Sequence, residues 1–313
     1  MVTSRSVSAE RTGPAWVKLS KAQRNNVQGY LFILPVVLGL LIFTIGPMIA
    51  SLYFSFTRFP ILSSPEWIGL RNYVTMFTAE RYFWQSVRVT ATYAVTSVPL
   101  GIIGAFLLAM LLDQRIKGIA FFRTCFYMPT IVPALASAIL WGWLLNPDYG
   151  LVNAALRLVG LPTSPFLTSP RTALASLVLM SLWGIGGGMI IYLAGLQGIP
   201  STFYEAGKID GATGLQLFRH ITIPLMTPTI FFNLVMGMIA AFQFFTQAFV
   251  LTGGGPLFST YFYNLMLYQR AFQWVQMGMA SAMAWFLLAV VLILTLLVFR
   301  SSSAWVYYET EAK

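Results

Sequence analysis

Charge is what this sequence has least of. Of 313 residues only 9% are Asp, Glu, Lys or Arg, against 58% apolar, and the mean hydropathy is +0.74. That stock is too small to cover a soluble fold, whereas several apolar runs exceed the roughly 20 residues that carry a helix across a bilayer core of about 30 Å. The single cysteine, Cys125, excludes an internal disulfide and any multi-thiolate metal site. It lies in an apolar segment and is expected to serve packing. The single histidine, His220 beside Arg219, is expected to sit at an interface or a helix end rather than to bind a ligand. None of the five lysines precedes Ser or Thr, so the phosphate-cradling P-loop is missing. No catalytic set and no metal site emerges. The net charge of +10 is no nucleic-acid signature, because the cations flank apolar runs, where they orient helices.

What is present is a series of charge-poor intervals. Six spans are predicted at 28–56, 89–112, 124–147, 172–196, 224–251 and 276–299. Pro35, Pro47, Pro99, Pro129 and Pro133 fall within or at the ends of these segments, which membrane helices tolerate when neighbours satisfy the freed carbonyls. Arg88 and Arg123 open the second and third spans and read as interface anchors. Residues 1–27 form a polar tail expected to be disordered and cytoplasmic, and residues 301–313 a second tail. With six crossings both termini lie on one side. Placing the N-terminal tail inside gives the inside segments 12 Lys/Arg and the outside segments 7, a moderate positive-inside bias. The expected location is a cell membrane, crossed several times, with both termini cytoplasmic. The outside connections "NPDYG", "LPTSP" and "TGGGP" carry turn chemistry.

One polar stretch interrupts this pattern: "YEAGKIDGATGLQLFRHITIPLMTP", between the fourth and fifth spans. Thr202 and Glu205 have the spacing of a capping box, as do Thr213 and Gln216. Gly211 stands where a left-handed residue ends a first short helix, and Pro224 and Pro228 mark the start of the next span. The loop 200–223 therefore predicts helix, glycine corner, helix. Such short helices are marginal alone, and Phe203, Tyr204, Ile209, Leu215, Leu217 and Phe218 need cover from the membrane interface, the bundle or another protein.

The same stretch resembles the "E-A-A, D-G-A, I-x-L-P" loop of ABC importer permeases. It supplies Glu205-Ala206-Gly207, Asp210-Gly211-Ala212 and Ile221-Thr222-Ile223-Pro224. "YMPTIVPALASAILWGWLLNPDYGLVNAAL", "IIYLAGLQGIPSTFYEAGKIDGA" and "VLTGGGP" extend the likeness over about residues 30–300. It is that of the carbohydrate, maltose-transporter-like branch of binding-protein-dependent transport inner-membrane components. The resemblance implies an all-α integral membrane protein with six transmembrane helices of the type-1 importer (MetI-like) fold. Residues 28–85 would hold the first helix and an outside loop, and residues 86–300 the five-helix transmembrane domain with its cytoplasmic coupling helices. It also implies partners: a second homologous permease, two ATP-binding cassette subunits that hold ATP and Mg, and an extracytoplasmic sugar-binding protein. Glu205 would face basic groups of the ATPase, Ala206 and Gly207 would permit close approach, and Asp210, Gly211 and Ala212 would shape the corner ahead of Pro224. Gly207 departs from the usual second alanine. A helical glycine costs up to about 1 kcal/mol relative to alanine, so a looser first helix is expected.

A neutral polar solute needs amides, hydroxyls and aromatic faces along its route. At about 100° per residue, Asn233, Gly237, Ala240, Gln243 and Gln247 share one arc of the fifth span. Trp183 and Tyr192 offer stacking surfaces from the fourth, where "WGIGGGM" suggests close packing or a kink. Helix–helix hydrogen bonding explains the same polar stripe equally well. The spans 89–112 and 224–251 contain no Asp, Glu, Lys, Arg or His, which weakens an ion-coupled mechanism. A stand-alone carrier or channel for a neutral solute remains the competing class.

Overall fold

The computed structural model describes residues 21–114 and 116–307. Two compact units divide at Ser51 and Leu52. Within the first, α1 (Lys21–Leu40) leads through a π-helical turn, Leu41–Ile45, into α2 (Gly46–Ser55). Residues 21–27, expected in the disordered tail, are thus helical, because nothing between Lys21 and Tyr30 breaks a helix. Residues 1–20 and 308–313 lie outside the described residues.

The second unit continues with a two-residue antiparallel ladder, β1 (Thr57–Arg58) against β2 (Glu66–Trp67). This small sheet departs from the all-α expectation. Asn72, buried in α3 (Arg71–Thr78), donates Nδ2 to the carbonyls of Ser55 and Thr57, each at 2.8 Å. Next comes α4 (Phe83–Leu112), beginning six residues before the expected second span, so Arg88 lies inside it rather than at its start. After it follow α5 (Ile119–Tyr127), α6 (Ala134–Leu144), α7 (Leu151–Leu158), α8 (Ala173–Leu182) and α9 (Gly186–Gln197). The polar loop holds α10 (Ser201–Ile209) and α11 (Gly214–Leu217). The remaining helices are α12 (Ile223–Phe242), α13 (Thr246–Leu251), α14 (Tyr263–Tyr268) and α15 (Met277–Ser302).

Among the described residues four helical runs are long and apolar enough to cross a membrane, at Asn25–Ser55, Phe83–Leu112, Gly214–Leu251 and Met277–Ser302. Two bent pairs bring the total to six if each is one span. The expected third span, 124–147, is not straight: its two arms meet at 100°. Proline explains the corner. Pro129 enters a 3-10 turn, Met128–Ile131, and Val132 is extended (φ −69°, ψ 126°) ahead of Pro133, which precedes α6. A residue before proline is pushed out of the helical region. The fourth span bends by 44° between α8 and α9, at Trp183–Gly184–Ile185, where the glycine run suggested a kink.

The packing is organised along α4. Its first half joins one apolar cluster with Phe83, Val89, Tyr93, Leu177, Phe262 and Met266. Its second half joins another, with Ala105, Phe106, Met189, Tyr192 and Met226. At the end of α4, Arg123 donates from Nε (3.1 Å) and Nη2 (2.8 Å) to the Leu112 carbonyl. The side chain read as an interface anchor is therefore a helix cap. Cys125 is exposed on α5 rather than packed.

Glycines set the close approaches between elements. A Cβ at Gly186 would lie 2.0 Å from the Phe126 carbonyl oxygen, whereas one at Gly187 would meet Thr130 Cγ2 at 3.7 Å. Gly186→Ala should therefore destabilise the detergent-solubilised protein by about 1–3 kcal/mol through overpacking. Gly187→Ala should be neutral or slightly stabilising, since alanine gains up to about 1 kcal/mol in a helix. Thermal unfolding of the two variants side by side checks the contrast.

Candidate functional site

The polar loop folds as helix, corner, helix. Pro200, extended at ψ 133°, stops the preceding chain, and α10 begins at Ser201. Thr202 therefore sits inside the first turn and not at the cap, so the expected Thr202–Glu205 box does not form. The second box does: Gln216 Oε1 accepts from the Thr213 N–H at 2.7 Å and from its hydroxyl at 2.9 Å. Gly211 adopts φ +78°, the left-handed conformation in which an L side chain is strained. The corner closes with Ala212 N–H on the Gly207 carbonyl at 2.9 Å.

Gly207 faces inward. A Cβ there would stand 2.6 Å from Leu217 Cδ2 and 3.3 Å from Ile221 Cδ1. Its missing side chain lets α10 pack directly on α11 and the turn beyond. The outer face stays open: Glu205, Ala206, Lys208 and Asp210 are exposed, with Ile209 at 86% and Leu215 at 75% exposure. His220 Nδ1 lies 3.0 Å from the Gln216 carbonyl oxygen, inside the loop's own helix.

No break separates this loop from the next span. Phe218–Thr222 form a π-helical turn, and the Ile223 N–H reaches the Phe218 carbonyl. The earlier π turn has the same relation to a proline, with the Gly46 N–H on the Leu41 carbonyl ahead of Pro47. In both, proline follows two residues after the turn. Its ring crowds the carbonyl four residues back and it donates no bond; widening the helix by one residue relieves this. Pro224 thus sits within a continuous helix instead of starting one.

A cavity of ≈ 560 Å³ lies beside α4, between the two apolar clusters. Asn233, Gly237, Ala240, Gln247, Trp183 and Tyr192 all contribute to its wall. Gln243 does not: α12 ends at Phe242, so the 100° progression fails there and Gln243 is exposed. Sequence reasoning missed Tyr93, Ser97, Ser137 and Ser181, which also line the cavity. Hydroxyls inside apolar runs were the available signal. The only ionisable side chains in the lining are Tyr93 and Tyr192, so it suits a neutral, hydrogen-bonding surface. Asn233 Nδ2 donates to the Thr229 carbonyl at 2.9 Å. Trp183 meets Trp141 edge to face at 6.0 Å. The Tyr192 hydroxyl, fully buried, has no hydrogen-bond partner among the described residues. No group of three or more His, Cys, Asp or Glu is arranged for a metal among them.

Comparison with known proteins bears on this geometry. The family model described as "Binding-protein-dependent transport system inner membrane component" matches residues 97–305. The probable ABC transporter permease protein YesP of Bacillus subtilis is 45% identical over 301 residues, covering 95% of this chain and 97% of that one. The probable starch degradation products transport system permease protein AmyD of Thermoanaerobacterium thermosulfurigenes is 33% identical, covering 88% and 94%. Among solved structures, a chain of a bacterial alginate ABC transporter, in complex with a periplasmic protein bound to an alginate pentasaccharide, superposes with a TM-score of 0.80. It is 26% identical, over 90% of this chain and 96% of that one.

The corner's dependence on glycine is open to test. Gly211→Ala should cost about 1–2 kcal/mol of local stability, since an L residue pays that in the left-handed region. Amide hydrogen exchange across 201–217 should quicken accordingly, by about five- to thirtyfold. Gly214→Ala, where an added Cβ meets nothing within 4 Å, should leave exchange unchanged or slow it slightly, since alanine favours the helix.

Proposed function

The chain belongs to the binding-protein-dependent transport system inner membrane components, and we propose a division of labour within it: the 200–223 loop receives ATP-driven motion, and the cavity beside α12 passes the solute. The protein is a permease subunit of a sugar ABC importer, a transport subunit rather than an enzyme. One observation carries the division of labour. A single continuous helical run bears an exposed, partly apolar helix pair at one end and the cavity-lining residues Asn233, Gly237 and Ala240 further along.

In this reading the chain crosses the membrane six times in the type-1 importer arrangement, the two bent pairs counting as one span each, with both termini cytoplasmic. A second homologous permease completes the pathway. Two ATPase subunits hold ATP and Mg and seat the loop, with Glu205 facing their basic groups, Ala206 allowing close approach and Asp210–Gly211–Ala212 keeping α10 at its angle. An extracytoplasmic sugar-binding protein delivers the solute. ATP-driven closure of the ATPases moves the loop and opens the bundle outward; hydrolysis and product release return it inward. Ligands shift such an equilibrium only through different affinities for the two states, so loaded binding protein and ATP must both favour the outward form. The cargo is a carbohydrate: an uncharged lining of hydroxyls, amides and indole supports this. Asn233, Gln247, Trp183 and Tyr192 are the residues of this chain that would meet it.

Glu205→Lys tests the reading. The variant chain should remain inserted and paired with its permease partner, while the ATPase subunits are lost from the complex purified in mild detergent. ATP-dependent sugar uptake should fall at least about tenfold, the scale set by reversing one charge–charge contact. Undiminished uptake would remove the role given to Glu205. Sugar flux through the wild-type chain alone, without ATP, would make the protein a carrier.

A further inference from the structure

We infer that Tyr204 and Thr222 are a positioning pair that makes the exposed helix α10 and the cavity-bearing helix α12 move as one body during transport; the inference rests on the importer reading above. The Tyr204 and Thr222 hydroxyls meet at 3.1 Å across 18 residues of chain. Tyr204 is half-buried on the inner face of α10, and Thr222 is buried at the end of the π turn that runs into α12.

The need for such a bond follows from the loop's construction. α10 has nine residues and hangs from a corner at Gly211, the most permissive backbone it could have. It also faces inward at Gly207, against Leu217 and Ile221. Dispersion contacts of that kind hold two helices together but fix their relative rotation poorly. A hydrogen bond is directional, weakening steeply as its angle departs from linear. With this bond made, α10 cannot roll on the corner without drawing α12 along.

Position in the chain supports the role. Tyr204 immediately precedes Glu205, so the residue offered to the ATPase is adjacent to the one that grips α12. One helical turn beyond Thr222 lies Met226, fully buried. A Cβ at Gly195 of α9 would lie 3.0 Å from Met226 Cε and 2.9 Å from Thr229 Oγ1. Thr229 in turn accepts from Asn233, which lines the cavity. From Tyr204 the line runs to Thr222, one helical turn on to Met226, and along α12 to Thr229 and Asn233 at the cavity wall, and none of these groups carries charge.

The experiment uses the assembled transporter in proteoliposomes, with sugar uptake and ATP hydrolysis measured together. Tyr204→Phe and Thr222→Val remove the bond with little change in shape, and Thr222→Ser keeps it. The sugar moved per ATP hydrolysed should fall about fivefold in each of the first two, the scale of one hydrogen bond, with hydrolysis kept within about twofold. The double variant should be no worse than either single, as expected of two partners in one interaction, and Thr222→Ser should retain the wild-type ratio. An unchanged ratio in both single variants would overturn the pair's role, as would transport and hydrolysis falling in parallel, which marks a merely structural bond. Wild-type vesicles that take up sugar without ATP would overturn the importer reading itself, and this inference with it.

Discussion

A peptide N–H or C=O without a partner in hydrocarbon costs several kcal/mol, and an interruption of a helix within or beside a span has to answer that cost. Two π turns answer it by widening the helix just ahead of Pro47 and Pro224, so that the Gly46 and Ile223 N–H groups find carbonyls five residues back. The 100° corner answers it with a 3-10 turn entered at Pro129 and an extended Val132. The α8–α9 bend bonds the Trp183, Gly184 and Ile185 amides three residues back, at 3.2, 3.2 and 3.4 Å. Where α4 stops, the Arg123 guanidinium takes the Leu112 carbonyl. Proline and glycine are thus placed where a neighbouring group, or a wider turn, can restore what they remove.

This explains what could be read from the sequence and what could not. Apolar runs and their flanking charges are one-dimensional quantities, so the long helices and the helix–corner–helix loop were legible, as was the left-handed Gly211. Boundaries were less so, because a helix extends as far as its polar residues permit, and Lys21 and Phe83 both precede the apolar runs that follow them. The Thr202 box failed for a local reason: Pro200 holds the chain extended one residue before Ser201, and the helix starts there. The role of Gly207 depends on Leu217, ten residues on and across a corner. No count along the chain reveals that contact. Two of the π turns had a signal, since each ends two residues before a proline, but such a spacing also fits a plain helix start, and the turn at Gln269–Gln273 has no proline after it.

The cavity was legible only in part for a related reason. Asn233, Gly237 and Ala240 keep one arc because α12 is regular there, whereas Gln243 falls after its end. The other walls come from α4, α6, α8 and α9, which reach the cavity only through the folded arrangement. Tyr93 and Val98 belong to the first apolar cluster and Ile102 and Ala105 to the second, so the cavity opens where α4 passes from one to the other. A gap between two well-packed regions, lined by hydroxyls and glycines, costs less to keep open than one cut into either region, where each lost contact would forfeit dispersion energy.

The end of the second unit away from the loop is fastened by different chemistry. Arg270 pairs with Glu80, 190 residues away, with 17% and 9% of the two side chains exposed. The guanidinium also donates to Gln276 Oε1 at 2.8 Å and lies 4.2 Å over the Trp274 ring. Nearby, Tyr82 stacks on Phe258 at 4.0 Å, and the Tyr261 hydroxyl donates to Gln269 Oε1 at 2.6 Å. Burial pushes the Tyr261 hydroxyl up to about 12 even against the lowering charge of Arg270, so it stays a neutral donor at physiological pH. These are directional bonds and a partly desolvated ion pair, and breaking one partner of such a pair strands the other charge. At the loop end, by contrast, α10 meets α11 and the π turn ahead of α12 through one hydroxyl pair and apolar contacts. Between the two ends, α12 stops at Phe242 and the chain resumes as α13 only at Thr246, alongside the cavity.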